Sequence, residues 1–317
     1  MKFSMIKGSL GLFLSICMVG SWGCSAKNSQ QQSFQEYRKM MERQKASAAH
    51  EENIAKKIPE MKAAEFERLG DSYLKQGNID LAFIHYDKAL RLEPTQSRVR
   101  YKMGRLFVDK GLTEEAKKEF REILKGEPND ALAYEGMGRA LFKTGHFEEA
   151  ERNFQQALRL DPSLWQAHNF LGIIYDRQGQ FESAITQYKA AITLRPNQGL
   201  LFNNLGISLF LNGEYDKAIR AFLEALRIES SDQKIYNNLA LALCKLEKYH
   251  EGLEAFKKAG DDASAHYNLG CVYMLAGKYK EAIESFEKAI QIKPVFYVKA
   301  YENLRKAKDA VKGSYLQ

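Results

Sequence analysis

Apolar residues recur along this chain at helical spacing and within a longer period of 34 residues. Large or apolar residues stand four positions before, one before and three after a recurring small residue, as Phe66, Leu69 and Tyr73 do around Gly70. This spacing places them on one face of a helix, which we call helix A of the repeating unit. The small residue returns seven times, with one shorter step of 30 residues before the last, as Gly70, Gly104, Gly138, Gly172, Gly206, Ala240 and Gly270.

A second helix, helix B, is predicted after each helix A. It carries a small residue followed four positions later by an aromatic ring, as Ala82 and Tyr86 do in the first unit. Proline cannot continue a helix, and it closes five units. Glycine commonly ends a helix, and it marks the turn between the two helices at Gly77, Gly111, Gly145, Gly179, Gly213 and Gly277.

The order of a large residue, Leu, Gly and Tyr, followed by Ala, Phe, Ala and Pro, resembles the tetratricopeptide repeat (TPR) family. The resemblance covers residues 63–296 and implies an all-α fold, a right-handed α-solenoid of seven helix–turn–helix repeats. Each repeat leaves an apolar face uncovered, so stability is expected to come from stacking on its neighbours. The repeats are expected at 63–96, 97–130, 131–164, 165–198, 199–232, 233–262 and 263–296.

The C-terminal segment 297–317 is expected to form a capping helix and a tail. We expect Tyr301 and Leu304 to face the last repeat and the basic side chains of this helix to face solvent. Repeat 6 departs from the pattern, because Glu247 replaces the turn glycine and no proline closes the repeat. We therefore expect a different angle between repeats 6 and 7.

The first residues resemble a bacterial export signal. Two lysines within residues 1–7 precede an apolar stretch from about Leu10 to Val19, which is short for a membrane span. The stretch closes on the letters GSWGC, which end at Cys24 and resemble a lipobox. Residues 1–23 are therefore predicted to be a lipoprotein-type signal peptide and Cys24 the lipidation site. The alternatives are an ordinary cleaved signal peptide or a retained anchor helix, since Ser21 stands where a leucine is usual.

Two segments separate this signal from the repeats. Residues 24–33 are rich in Ser, Gln, Lys and Asn and are predicted to be a flexible tether. Residues 34–62 are charged, lack glycine and are predicted to be helical, either as an N-terminal cap or as a separate arm. The lipoprotein resemblance implies a location in the bacterial cell envelope, with a lipid anchor in the outer membrane and the repeats facing the periplasm. Ser25 in place of aspartate after Cys24 favours the outer membrane.

Composition narrows the possible ligands. The chain has 47 basic and 40 acidic residues, and no stripe of alternating basic and aromatic residues, so it is not expected to bind nucleic acid. No phosphate-binding loop and no His-Glu-x-x-His or Cys-x-x-Cys motif appears, so we expect no catalytic site, metal, cofactor or small-molecule substrate. Cys244 and Cys271 are expected on adjacent helices, most simply as free thiols and alternatively as a disulfide.

In the TPR family, helix A lines a concave groove that binds peptides. The resemblance places four basic residues in the groove of the early repeats: Arg98, Lys102, Arg105 and Arg139. It places asparagines in the later repeats, at Asn169, Asn203, Asn204, Asn237, Asn238 and Asn268. Apolar residues accompany them at Ile207, Phe210 and Leu241.

These groove residues have two interpretations. An asparagine amide offers one donor and one acceptor group, which match the main chain of an extended peptide, while arginines suit an acidic end. Asparagine is also common at these positions of the repeat, so the series can reflect the repeat itself. The chaperone-tail clamp of the family is not expected, because Glu67 and Asp71 stand at its first two positions.

The sequence therefore predicts a membrane-tethered, non-enzymatic scaffold that binds extended segments of partner proteins. A signal, a lipobox-like cysteine and these repeats resemble the lipoproteins that assemble tight-adherence (Flp) pili. The alternatives are a type IV pilus lipoprotein that assists secretin assembly, in the manner of a pilotin, and an adaptor that recruits cell-wall hydrolases.

Overall fold

The computed structural model describes residues 61–294 and 298–314. These residues form fifteen α-helices and no strand, so the predicted all-α fold is confirmed for this part of the chain. The predicted signal, Cys24, the tether and nearly all of segment 34–62 lie outside the described residues. In chain order the helices are α1 (Ala63–Lys75), α2 (Ile79–Leu92), α3 (Ser97–Lys110), α4 (Thr113–Gly126), α5 (Ala131–Lys143), α6 (Phe147–Leu160), α7 (Trp165–Arg177), α8 (Phe181–Leu194), α9 (Gly199–Leu211), α10 (Tyr215–Ile228), α11 (Gln233–Lys245), α12 (Tyr249–Ala259), α13 (Asp262–Leu275), α14 (Tyr279–Ile292) and α15 (Val298–Ser314).

The chain divides into two compact units, with the boundary inside α7. Unit 1 ends at Ile174, and unit 2 begins at Tyr175. In unit 1, α1 packs on α2, α3 on α4, and α5 on α6. In unit 2, α9 packs on α10, α11 on α12, and α13 on α14. Each pair is a helical hairpin, as predicted for one repeat, and its helix B also contacts helix A of the next hairpin in the same unit.

A glycine of helix A faces an aromatic ring of helix B inside these hairpins. A Cβ atom added to Gly70 would lie 2.4 Å from the Tyr86 ring, so only glycine allows this approach. The aromatic rings of helix B are at most 3% exposed. This contact holds the two helices of a hairpin together. The same contact joins Gly104 to Phe120, Gly138 to Phe154, Gly206 to Phe222 and Gly270 to Phe286.

The turn between helix A and helix B uses a left-handed backbone conformation. The six predicted turn glycines have φ angles between 72° and 84°. Glu247 occupies the corresponding turn between α11 and α12 with a φ of 59°. A side chain in this region is strained, because its Cβ atom crowds the backbone. The turn geometry of repeat 6 is thus kept at an energetic cost.

Helix B ends before the closing prolines, as predicted, and repeat 6 has a shorter helix B. α12 has 11 residues, whereas each other helix B has 14. The next helix, α13, begins after Asp261, whose carboxylate accepts a hydrogen bond from the backbone nitrogen of Ser264 at 2.8 Å. This cap starts a new helix within three residues of the end of α12. The expected change of angle between repeats 6 and 7 stays a prediction.

α15 packs on α14 and covers the last hairpin. Ala307 is fully buried against Phe286, and Leu304 packs on the same cluster, as predicted. The prediction that Tyr301 faces inward is wrong, because this side chain is 49% exposed. The small Ala300 is buried instead, so close helix packing selects an alanine there and turns the larger Tyr301 outward. No helix within 61–294 and 298–314 is long and apolar enough to cross a bilayer.

Candidate functional site

The predicted groove residues lie on the A helices, and each unit presents its own set. We call A surface 1 the side chains from α1, α3 and α5 in unit 1, and A surface 2 those from α9, α11 and α13 in unit 2. A surface 1 is charged and contains Glu67, Asp71, Arg98, Tyr101, Lys102, Arg105, Glu135 and Arg139. A surface 2 is mainly amide and apolar and contains Leu200, Asn203, Asn204, Asn237, Asn238, Leu241 and Asn268. Asn169 lies on α7 in unit 1 and is buried.

Two of the predicted basic residues are paired within A surface 1. Arg98 donates from Nε to Glu67 at 2.5 Å, and Lys102 donates from Nζ to Glu67 at 2.6 Å and to Asp71 at 2.7 Å. Burial alone would raise the pKa of Glu67, but the hydrogen bonds from Arg98 and Lys102 hold it below its ordinary value. Both carboxylates are therefore ionised at neutral pH, and the charges of Arg98 and Lys102 are compensated.

Asp71 receives a further hydrogen bond from the hydroxyl of Tyr86, at 2.7 Å. Tyr86 is the fully buried ring of the first hairpin, so this bond connects the interior of the hairpin to the ion pairs on its surface. Burial raises the pKa of Tyr86, and the contact with Asp71 raises it further. The hydroxyl consequently stays protonated and acts as a donor.

A second polar network in unit 1 centres on Glu135 of α5. Glu135 is 2% exposed, and its Oε2 atom accepts a hydrogen bond from the Tyr101 hydroxyl at 2.8 Å. Its Oε1 atom is buried without a hydrogen-bond partner and lies 3.9 Å from Nε of Arg139. Burial raises the pKa of Glu135 despite the nearby positive charges of Arg139 and Arg105.

The asparagines of A surface 2 are partly engaged with the protein itself. Asn238 is 8% exposed and donates its side-chain amide to Oδ1 of Asn203 at 3.0 Å. Asn237 donates to the main-chain oxygen of Gln233, one turn earlier in its own helix, at 3.0 Å. Asn204 and Asn268 are half-buried on the same surface. Five of the six predicted asparagines thus lie on A surface 2, and the amides of Asn237 and Asn238 already donate hydrogen bonds within the protein.

The predicted apolar residues divide into interior and surface positions. Ile207 and Phe210 are only 4% and 5% exposed, and the Phe210 ring meets Tyr215 at a centroid distance of 5.3 Å. Their side chains fill the interior of unit 2. Leu241 is half-buried, and Leu200, which the sequence reasoning did not select, is 52% exposed. The apolar part of A surface 2 therefore consists of Leu200 and Leu241.

A half-buried carboxylate in unit 2, that of Asp176, was also missed. Asp176 accepts hydrogen bonds from the Tyr188 hydroxyl at 2.9 Å and from the Ser208 hydroxyl at 2.5 Å. Ser208 is completely buried. Burial raises the pKa of Asp176 to about 6, although both hydrogen bonds act in the opposite direction. The signal in the sequence is a serine within the apolar run from Gly206 to Phe210, which calls for a polar partner.

The two cysteines of the repeats, Cys244 and Cys271, are the remaining candidates for reactive groups. Cys244 and Cys271 are both free thiols, and burial raises the pKa of Cys244 to about 12, which keeps the thiol protonated. Among the described residues, no group of three or more His, Cys, Asp or Glu side chains could hold a metal ion.

Comparisons with known proteins agree on the repeat architecture. A family model described as the C-terminal domain of cilia and flagella-associated protein 70 matches residues 25–268, and the tetratricopeptide repeat model matches residues 263–296. No curated protein matches the chain.

Similar solved structures share the fold at low sequence identity. The APC/C hetero-tetramer Cut9–Hcn1 has a TM-score of 0.54 at 20% identity, over 83% of this chain and 51% of that chain. A tetratricopeptide repeat protein from Parabacteroides merdae has a TM-score of 0.50 at 17% identity, over 78% and 98%. YrrB, described as a TPR protein with an unusual peptide-binding site, has a TM-score of 0.50 at 23% identity, over 60% and 97%.

Proposed function

We propose that this chain, which belongs to the tetratricopeptide-repeat family represented by the C-terminal domain of cilia and flagella-associated protein 70, is a non-enzymatic scaffold for protein–protein interactions. It binds extended segments of partner proteins along the surfaces of its A helices. Repeat arrays of this kind generally act by presenting such surfaces rather than by catalysis.

The chemistry of A surface 2 carries this proposal. Helix α9 contains no charged residue, and Leu200 at its start is half exposed. The bond from Asn238 holds the Asn203 side chain in one orientation, so part of the surface is already ordered before a ligand arrives. Amide groups beside the exposed Leu200 and the half-buried Leu241 suit a peptide main chain with apolar side chains.

One structural relative of this chain is described as having a site for the same class of ligand. YrrB is described as having a peptide-binding site, and a peptide is the ligand that we propose for this chain. From the matching family we transfer the repeat fold and not a ciliary location, because the N-terminal residues of this chain resemble a bacterial export signal.

We further propose that an acylated Cys24 anchors the protein in the outer membrane, with the repeats on its periplasmic side. Two or three acyl chains would hold the protein firmly, since each buried methylene contributes about 0.8 kcal/mol. The scaffold then serves the assembly of an envelope machine such as a tight-adherence pilus. Secretin assembly for a type IV pilus and recruitment of cell-wall hydrolases are the alternative roles.

Site-specific photo-crosslinking in the native cells tests the proposal. A photoreactive amino acid replaces Leu200 on α9, and in a matched strain it replaces Leu223 on α10, a helix B residue of the same unit with 51% exposure. We expect a discrete crosslinked partner from position 200 and none from position 223. The partner, identified by mass spectrometry, also separates the three roles, because a pilus component, a secretin and a hydrolase are distinct products. Equal crosslinking at both positions, or none at position 200, would reject binding on A surface 2.

A further inference from the structure

The four basic residues predicted for the groove differ in how far their charges are compensated. Arg98 and Lys102 donate short hydrogen bonds to Glu67 and Asp71, so their charges have partners within the chain. A ligand that used either of them would have to compete with these carboxylates. They are consequently poor anion receptors.

Arg139 is in a different situation. Its side chain is only 17% exposed, and its buried Nε atom has no hydrogen-bond partner among the described residues. The closest carboxylate oxygens belong to Asp109 at 3.7 Å and Glu135 at 3.9 Å, which are ion-pair distances too long for hydrogen bonds. The Phe170 ring lies 5.9 Å from its guanidinium carbon. Within the part of the chain that the structure describes, the guanidinium group of Arg139 thus forms two long ion pairs and a ring contact but no hydrogen bond.

Arg105 occupies the equivalent position one repeat earlier, 34 residues before Arg139. It is exposed and contacts the ring of Tyr101, 5.9 Å from its guanidinium carbon, with no hydrogen bond or ion pair to the described residues. Tyr101 in turn donates to Glu135. Arg139 therefore lies beside the buried carboxylate of Glu135, and Arg105 is connected to it through Tyr101.

We propose that Arg105 and Arg139 form a subsite for an acidic side chain of the bound partner, so that the partner segment carries an aspartate or glutamate at this point. The inference rests on the proposed binding of extended peptides and adds a specificity to it. A carboxylate has two acceptor oxygens and pairs with a guanidinium through two parallel hydrogen bonds. It would satisfy the Nη2 donor of Arg139 that Asp109, at 3.7 Å, leaves without a hydrogen bond, and it would offset the positive charge of Arg105.

Fluorescence anisotropy with two matched peptides tests the subsite. The probe is an eight-residue peptide of alternating glutamate and alanine with a blocked C-terminus, and its partner has glutamine at each glutamate position. The full chain is used in detergent. We expect the wild-type protein to bind the glutamate peptide more tightly than the glutamine peptide. Arg105→Gln should lower the affinity for the glutamate peptide about tenfold and leave the affinity for the glutamine peptide unchanged. Arg139→Lys keeps the charge and is expected to lower the affinity for the glutamate peptide less than Arg105→Gln does.

Arg98→Gln is the matched control, because this exposed arginine is already bonded to Glu67. It should change the affinity for the glutamate peptide by less than about twofold. Equal affinity of the wild-type protein for both peptides, or an equal loss from Arg98→Gln and Arg105→Gln, would overturn the subsite. Crosslinking from Leu200 is an independent readout in the other unit, so its success alongside equal peptide affinities would reject the subsite and leave the scaffold function standing.

Discussion

Asn238 donates a hydrogen bond from its side-chain amide to Oδ1 of Asn203, and this bond joins α11 to α9 across 35 residues of sequence. The same offset of 35 residues joins Lys102 to Glu67 in unit 1. The fifth residue of one repeat thus bonds the sixth residue of the next within each unit. Part of the asparagine series therefore links neighbouring helices, whatever else it binds.

Replacement of Asn238 by alanine should destabilise unit 2 by about 1–3 kcal/mol, because it removes a buried bond and leaves the Asn203 acceptor without its donor. Urea unfolding measures the change. Asn237→Ala is the control, since its amide bonds only the backbone of its own helix, and we expect a change below about 0.5 kcal/mol. Equal effects of both substitutions would show that the bond between the two helices contributes nothing.

Asp176 should make the protein less stable as the pH rises. Its pKa in the folded protein is about 6, above the ordinary value of 3.8, so the folded state binds the proton more tightly than the unfolded state. Stability contributed by the protonated carboxyl is fully present below about pH 4 and is lost by about pH 6–7, with a magnitude of about 2–3 kcal/mol. Asp176→Asn should remove this slope. Thermal unfolding between pH 4 and 7.5 measures it.

Asp216→Asn, at an exposed aspartate of the same unit, is the matched control for this pH dependence. It should keep the wild-type slope. Glu135 contributes in the same direction from unit 1, so the relevant quantity is the difference between the wild-type protein and Asp176→Asn. A difference that does not vary with pH would contradict the raised pKa.

Gly136→Ala should destabilise unit 1 by about 1–3 kcal/mol through overpacking. An added Cβ atom would lie 2.4 Å from two ring carbons of Phe120, which is fully buried. Gly126→Ala places a methyl group where no heavy atom lies within 4 Å, and it should be neutral or stabilising by up to about 1 kcal/mol. Chemical unfolding of the two variants side by side distinguishes steric contact from a general effect of replacing helical glycine.

Glu247→Gly should stabilise the protein by about 1 kcal/mol, because glycine adopts the left-handed turn without strain. The substitution also removes an exposed ion pair to Lys278 at 3.5 Å, which is worth little. Glu247→Ala removes the same ion pair and keeps the strain, so it should bring no gain. An equal gain in stability from Glu247→Ala and Glu247→Gly would show that loss of the carboxylate, and not relief of backbone strain, stabilises the protein. Calorimetric melting temperatures provide the comparison.

Cys24→Ala should move the protein from the membrane fraction to the soluble periplasmic fraction, because it removes the proposed acylation site. Immunoblotting of separated fractions measures this. Cys17→Ala is the control, since an isoleucine precedes Cys17 and it is poorly placed for cleavage. Unchanged fractionation of the Cys24 variant would reject the lipid anchor.

The repeat fold was predictable from the sequence because one contact is repeated with the same residues. Glycine on helix A and an aromatic ring on helix B recur at fixed spacing, and each pair needs the same close approach. Tyr301 was predicted wrongly because residue type alone favoured burial of the ring. In the structure, the buried positions of α15 are the alanines that allow the helix to approach α14.

The chemistry of the A surfaces was harder to predict. The sequence alone does not distinguish the four cations Arg98, Lys102, Arg105 and Arg139. In the structure, only Arg98 and Lys102 have short hydrogen bonds to carboxylates. Those bonds connect residues that are about one repeat apart, so they depend on how neighbouring A helices align. The partnership of Asp176 with Ser208 was missed for the same reason.

Gly136 and Phe120 belong to different hairpins, and their contact makes these hairpins a matched pair. In an engineered array, the hairpin of residues 131–164 would pack on the preceding hairpin only if that hairpin carried an aromatic ring like that of Phe120 to meet Gly136. Shuffling, duplicating or transplanting hairpins of this protein therefore requires residues 97–164 to be handled as a single building block.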